Sequence, residues 1–192
     1  MHYRIDSQGR IVDVSLEWLD FARENCAHRL DRQALVGRPL WEFIAGSETR
    51  CLYEMVFERV RKEEVTVTLP FRCDSPTLRR FMQLVVRPAP EGWLELEGQV
   101  IRTEVRAEVP LLDPSAVRSE EFLNICSWCK KVQRSQDEWI EVEGAIADLE
   151  LFAAPVLPQL SHGLCPACAV VVREEVEEAA RAFREQRDQP DG

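Results

Sequence analysis

The chain has 192 residues, of which 45% are hydrophobic and 30% charged, a balance typical of a globular protein rather than a disordered one. Its net charge is −10: residues 1–110 hold 16 basic against 18 acidic side chains, and the remainder holds 8 against 16. This acidity excludes the broad basic surface that nucleic-acid binding needs. No stretch reaches the ~18 apolar residues of a membrane span, and no apolar signal segment is present. We therefore expect a cytoplasmic protein without a membrane partner.

The chain begins with two short strands followed by short helices. Residues 3–14 are predicted to form two strands around a turn at 7–9. Residues 15–25 have helical periodicity. Residues 34–44 contain a glycine and a proline, which predict a turn and then a short apolar helix.

A longer helix is predicted over residues 47–63, with Ser47 as its N-cap and an apolar stripe that recurs every four residues. The stripe comprises Leu52, Val56 and Val60. Proline-containing turns separate three strands that follow, over residues 65–73, 79–88 and 92–102. Three arginines of this region are interpreted as solvated side chains of a hairpin: Arg72, Arg79 and Arg80.

Two strands, several helices and three strands within residues 1–106 predict an α+β domain, in which helices pack on one face of an antiparallel sheet. This element order resembles that of PAS domains, and two short motifs support the resemblance. They are Asp6-x-x-Gly9-Arg10-Ile11 and Leu35-Val36-Gly37-Arg38. The resemblance implies a sensor domain that binds a ligand or a protein partner.

Apolar side chains of this domain could line a pocket for an uncharged organic ligand, although ordinary core packing predicts the same residues. The candidates are Trp18, Trp41, Phe43, Met55 and Phe57. Flavin photosensors of the PAS fold carry a photoactive cysteine where this chain has Leu40. Haem-binding PAS domains take a ligand from the long helix, and residues 47–63 contain no histidine. We therefore expect neither flavin nor haem.

Residues 107–122 contain two prolines and are predicted to connect the first domain to a second unit over residues 123–172. Within that unit, Ser135 and Glu138 have the spacing of a capping box and predict a helix with one apolar stripe. The stripe comprises Trp139, Val142, Ile146 and Leu149. A charged helix is expected over residues 169–187. Because the second unit is taken to end at residue 172, residues 173–192 are assigned to a C-terminal helix and tail.

Four of the seven cysteines form two C-x-x-C pairs, Cys126/Cys129 and Cys165/Cys168. Two such pairs can place four thiolates around one ion, and a tetrahedral set of soft sulfur ligands suits Zn²⁺. The gap, residues 130–164, exceeds the ~15–20 residues usual between zinc-binding pairs. Loop-closure entropy grows slowly with length, so the gap is no obstacle. The sequence predicts a structural zinc site with these four ligands.

Three alternatives to that site stay open. His162 could replace one cysteine as a ligand, a single pair could act as a redox dithiol, and four cysteines could hold an iron–sulfur cluster. Covalent haem is disfavoured because neither pair is followed by histidine.

The motifs around the cysteines are similar to those of a module found with bacterial PAS and signalling proteins. They read Ile125-Cys126-Ser127-Trp128-Cys129-Lys130, Trp139-Ile140-Glu141-Val142-Glu143, and Ser161 through Cys168. The resemblance implies a bacterial signal-transduction protein.

No nucleophile–base pair or open metal position in the sequence indicates catalysis. We expect a non-enzymatic sensor or adaptor that acts through a protein partner in a signalling pathway. The alternative is a thiol redox switch in which the cysteine pairs oxidise and release zinc. The apolar side of the C-terminal helix predicts either a homodimer contact or packing on its own chain; it comprises Val172, Val176, Ala180 and Phe183.

Overall fold

The first half of the chain forms a five-stranded antiparallel sheet in the computed structural model, which describes residues 1–25, 27–148 and 156–187. Its strands are β1 (His2–Ile5), β2 (Ile11–Val14), β3 (Val67–Arg72), β4 (Leu78–Pro88) and β5 (Leu94–Val105). The strand order is β2-β1-β5-β4-β3, so β2 and β3 are the edge strands. The predicted antiparallel sheet, including the positions of its five strands, is confirmed.

Three helices lie between β2 and β3: α1 (Leu16–Glu24), α2 (Arg32–Leu35) and α3 (Ser47–Glu63), with a 3-10 turn at Leu40–Glu42. The bounds predicted for α3 are confirmed, but the N-cap role of Ser47 is wrong. Ser47 is the first helical residue, and Gly46 precedes it with a φ of 86° that glycine adopts without strain. No helix in the described part of the chain combines the length and the apolar character that crossing a membrane requires.

The second half forms a four-stranded mixed sheet that the sequence did not predict. Its strands are β6 (Arg118–Cys126), β7 (Val132–Ser135), β8 (Glu138–Ile140) and β9 (Leu157–Gly163), in the order β8-β7-β6-β9. β6 and β9 are parallel, and the other neighbours are antiparallel. Residues 118–122 of the predicted connector therefore belong to β6, and a 3-10 turn lies before them at Pro110–Leu112.

The helix predicted to begin after Ser135 is wrong, because this segment is a hairpin. Ser135 ends β7 and pairs with Glu138, the first residue of β8, so the two residues flank a two-residue turn. Helix α4 (Val142–Asp148) begins later and buries Val142 and Ile146 as the stripe predicts. Leu149, the last residue of that stripe, lies outside the described residues.

One apolar core joins the two halves of the molecule. The C-terminal helix α5 (Pro166–Arg187) starts three residues earlier than predicted and packs its apolar side on β3 and α3. Both cysteine pairs contribute to this core, together with residues of α3 and α5: Leu52, Val56, Phe57, Val60, Cys126, Trp128, Cys165, Cys168, Val172 and Val176. Helix α5 thus packs on its own chain, one of the two arrangements that the sequence predicted.

Buried ion pairs at the end of the first sheet correct the interpretation of the hairpin arginines as solvated. The side chain of Arg72 is 9% exposed and pairs with Asp74, whose side chain is fully buried, and with Glu141 at 2.7 Å. Arg79 also approaches Glu141, at 3.6 Å. The backbone N–H of Arg80 donates to the Asp74 carboxylate at 3.2 Å. Because Glu141 directly precedes α4, these ion pairs link the first sheet to the second unit.

Candidate metal centre

The two cysteine pairs meet at one point. The four Sγ atoms of Cys126, Cys129, Cys165 and Cys168 all lie within 4.8 Å of one another, and those of Cys129 and Cys165 are 3.7 Å apart. A disulfide bond would need ~2.05 Å. The separation is instead close to the edge, about 3.8 Å, of a tetrahedron with metal–sulfur bonds of ~2.3 Å. The structure brings together the four predicted ligands, with free thiols, in a group that could hold a metal ion.

The parallel pairing of β6 with β9 explains how the two cysteine pairs, which are far apart in the sequence, come together. Cys126 ends β6 and lies opposite Gly163, which ends β9. The backbone N–H of Ser127 donates to the carbonyl oxygen of Gly163 at 2.9 Å. Parallel strands end at the same edge of a sheet, so the segments that leave β6 and β9 emerge side by side. A hairpin, α4 and β9 together occupy the long gap between the pairs.

A tight turn between β6 and β7 presents the first cysteine pair. The N–H of Lys130 donates to the carbonyl oxygen of Cys126 at 3.0 Å, and the N–H of Cys126 donates to that of Lys131 at 2.7 Å. Lys130 has a φ of 63°, in the left-handed region that lets the chain reverse direction. Cys126 is buried and Cys129 is half-buried, so both sulfurs face inward with limited access to solvent.

The start of α5 presents the second pair. Cys165 immediately precedes the helix, and Pro166, its first residue, occupies a position where the missing N–H costs nothing. The Sγ of Cys165 accepts a hydrogen bond from the N–H of Cys168 at 3.4 Å, as the side chain of an N-cap residue does. The N–H of Cys165 donates to the Sγ of Cys126 at 3.4 Å. The N-terminal end of the helix dipole favours negative charge on these sulfurs.

Four sulfurs this close together create an electrostatic conflict that a cation removes. Two thiolates ~4 Å apart repel each other by about 4 kcal/mol at an effective dielectric constant of 20. Hydrogen bonds from Cys129, Cys165 and Cys168 lower the pKa of the Cys126 thiol, which makes this sulfur ready to carry negative charge. Burial in apolar surroundings opposes further ionisation. A divalent cation bound by all four sulfurs would offset both the repulsion and the burial.

His162, the alternative ligand, lies on β9 three residues before Cys165. It is exposed, and it does not belong to the group of four potential ligands. Its carbonyl oxygen faces the start of α3, where a Cβ on Gly46 would lie 2.2 Å away. His162 therefore makes its close contact with the start of α3 through its backbone carbonyl oxygen.

Trp128, between the cysteines of the first pair, attaches the centre to the first sheet. It is buried, its indole N–H donates to the carbonyl oxygen of Pro70, and its own carbonyl oxygen accepts from the N–H of Arg72 at 2.8 Å. Its ring packs against Tyr53 and Phe71, with centroid distances of 5.6 and 6.0 Å. The first cysteine pair is thereby fixed to the edge strand β3.

Glu48 contacts the residue that precedes the second pair, a role that sequence reasoning missed. Its Oε2 accepts a hydrogen bond from the backbone N–H of Leu164 at 2.9 Å. In the sequence, an acidic residue in the first turn of a helix indicates only a favourable interaction with the helix dipole. The contact with a residue 116 positions later leaves no local signal.

The five side chains predicted to line one ligand pocket are distributed over separate cavities. Trp18 and Phe43 line a cavity of about 160 Å³. Trp41 and Phe57 line a groove beside charged side chains of α3, and Met55 lines a groove between α3 and α5. A further cavity, of about 300 Å³, shares only Trp18 with the predicted set.

Comparison of the chain with protein-family models, with curated proteins and with solved structures gives no match.

Proposed function

We propose that the protein is a non-enzymatic signalling module in which a PAS-like sensor domain is joined to a structural zinc centre. The group of four cysteine sulfurs at the junction of the two sheets is the observation that carries this proposal. The order of elements in the first half, two strands, helices and three strands, supports the PAS-like assignment.

The donor set favours zinc. Four thiolates are soft ligands, and their sulfurs, all within 4.8 Å, leave room for one tetrahedral ion rather than for a cluster of several metal atoms. Four protein ligands complete the coordination of zinc, so no position remains for a catalytic water. The reducing cytoplasm would keep the thiols available to the metal.

The completeness of this shell supports a role without catalysis at the metal, such as that of a sensor or adaptor. A catalytic metal needs an open position for water or substrate, and four cysteines provide none. The centre instead fixes β3, the start of α3 and the start of α5 relative to one another. Output in such a protein passes through a surface that a protein partner recognises.

Elemental analysis of the full chain, purified under reducing conditions without chelator, tests the proposal. We expect one zinc per chain, and a loss of at least about tenfold in zinc affinity when Cys168→Ser removes one ligand. The matched control is Cys51→Ser, because Cys51 is exposed and lies outside the group of four. Purified protein without bound metal, or equal zinc affinity in the two variants, would contradict the proposal.

A thiol redox switch is the second candidate, and the spacing of Cys129 and Cys165 favours it. Their sulfurs are 3.7 Å apart, and Cys129 is only half-buried. Hydrogen peroxide would oxidise the two thiols to a disulfide, be reduced to two waters, and leave the zinc with two ligands. Mild peroxide should then release zinc and lower the protein mass by two hydrogen atoms, reversibly with added thiol. Retention of both zinc and reduced thiols would exclude this candidate.

A further inference from the structure

A cavity lined mainly by apolar side chains, several of them aromatic, lies between α1, α3 and the first sheet. Its volume is about 300 Å³, and its lining includes Tyr3, Trp18, Phe21, Tyr53 and Phe71. An apolar cavity of ~150 Å³ holds a benzene ring. The larger volume here therefore suits a bicyclic aromatic molecule.

The polar side chains that line this cavity are neutral. Burial raises the pKa of Tyr3, and it raises the pKa of Tyr53 to about 12. Burial also raises the pKa of the Cys73 thiol. The amide of Asn25 is already hydrogen-bonded, to the carbonyl oxygen of Phe21 at 2.7 Å and to a guanidinium of the first sheet at 2.9 Å. Among the described residues the lining has no charged side chain, and it offers hydroxyl and thiol groups that can orient a ligand, while the N-terminal ammonium group of Met1 donates to the carbonyl oxygen of Gly98. Such a lining selects an uncharged molecule.

The wall of the cavity and the metal centre share one aromatic cluster. Tyr53 and Phe71 line the cavity, and both pack against Trp128. Trp128 lies between Cys126 and Cys129, so its ring is attached to the turn that presents both sulfurs. A direct series of contacts thus connects the interior of the first domain to the first cysteine pair.

We propose that the cavity binds a neutral bicyclic aromatic molecule, and that its occupancy is transmitted to the metal centre through Tyr53, Phe71 and Trp128. The inference deepens the proposed function, on which it depends for the metal. A bound molecule restricts the rings of Tyr53 and Phe71, which then hold Trp128 in place and slow the opening of the first cysteine pair. Binding linkage requires the metal to strengthen ligand binding by the same factor by which the ligand strengthens metal binding.

Indole is a suitable probe, with the full chain loaded with zinc. Calorimetric titration should show one indole bound per chain, and saturating indole should slow zinc transfer to a chromogenic chelator by about fivefold or more, the range of ordinary allosteric coupling. Ala22→Phe places a ring in the cavity and should abolish both effects while zinc stays bound. The matched control on the same helix is Leu16→Phe, since Leu16 is 72% exposed and should leave both effects unchanged.

The outcomes test ligand binding, its coupling to the metal centre and the proposed function separately. A zinc-loaded chain that binds no indole overturns the inference and leaves the proposed function intact, as does indole binding that Ala22→Phe does not weaken. Binding with an unchanged rate of zinc transfer overturns the coupling. A chain that purifies without zinc contradicts the proposed function first, and titration of that chain with indole still tests the cavity. Should circular dichroism show that Ala22→Phe is unfolded, Leu84→Phe fills the same cavity from β4.

Discussion

The two sheets of the molecule differ in what stabilises them. The first is antiparallel and covers one face with an extended apolar core that includes α3 and α5. The second has fewer strands, a parallel pair, and a core of its own that comprises seven buried side chains of the described residues. So small a core is insufficient to stabilise a sheet by itself. The cysteine pairs at its edge belong to the larger core, so the second sheet depends on its junction with the first.

Removal of the metal should have the largest effect and tests whether the sheets form one cooperative unit. We expect chelation to lower the free energy of unfolding by about 4 kcal/mol, the linkage value for free metal at a thousand times its Kd. Because three of the four cysteines are buried in the shared core, protection of amides from hydrogen exchange should fall in β3 as well as in β6. Urea unfolding and hydrogen exchange would measure both effects. Loss of protection in the second sheet alone would show that the sheets are independent.

Asp74→Ala should have the next largest effect, because it breaks the buried ion pairs at the junction. The carboxylate of Asp74 is fully buried and pairs with Arg72 and, at 3.2 Å, with Arg106. Leaving these two nearly buried guanidinium groups with one partner fewer should cost about 3 kcal/mol in chemical denaturation. Asp20→Ala is the control, since it removes an exposed pair with Arg23 and should change stability little. Equal effects of the two substitutions would mean that the junction contributes nothing beyond a surface ion pair.

Gly46→Ala tests the contact between α3 and β9 against a glycine with the same φ angle. Gly46 and Gly37 both have a φ of 86°. A Cβ on Gly46 would lie 2.2 Å from the carbonyl oxygen of His162, whereas a Cβ on Gly37 would meet nothing within 4 Å. Both variants incur the strain of a left-handed conformation. Gly46→Ala adds the collision with His162, so its loss in free energy of unfolding should be greater by about 2 kcal/mol. Thermal unfolding with equal losses would argue against this contact in solution.

Glu48→Gln should have the smallest effect, because it removes a charge and keeps a hydrogen-bond acceptor. The N–H of Leu164 would then donate to an amide oxygen, at a cost of about 0.5 kcal/mol. Zinc competition should show a slightly weaker site, since Leu164 directly precedes Cys165. Glu54→Gln, on the exposed side of the same helix, should change neither stability nor zinc affinity. A larger loss of stability or zinc affinity for Glu54→Gln would show that the effect comes from the charge of the helix and not from the contact with Leu164.

The first sheet could be predicted from the sequence because its signals are local. Strands β3, β4 and β5 follow one another with short turns between them, so pairing is set by neighbouring segments. The spacing of the cysteines likewise indicates their chemistry, since a C-x-x-C pair carries its ligand geometry within four residues. The structure confirms that these four sulfurs come together.

The second sheet could not be predicted, because its contacts are distant or ambiguous. Ser-x-x-Glu fits a capping box and equally fits residues that flank a two-residue hairpin turn, as Ser135 and Glu138 do. β9 lacks apolar alternation around His162, and its partner β6 precedes it by more than thirty residues. Arg72 pairs with its neighbour Asp74 and also with Glu141, 69 positions away, and the second partner could not be predicted from the surrounding sequence.

The attachment of Trp128 to β3 has a consequence for biogenesis. An unprotected edge strand is a template for pairing with another chain, and β3 is such an edge. The ribosome releases β3 well before Trp128 and the cysteines, so the newly made chain exposes this edge until the first pair docks. Pro70 lacks an N–H and weakens pairing at one position only. If the centre holds zinc as proposed, cells starved of zinc should therefore accumulate this protein as aggregates.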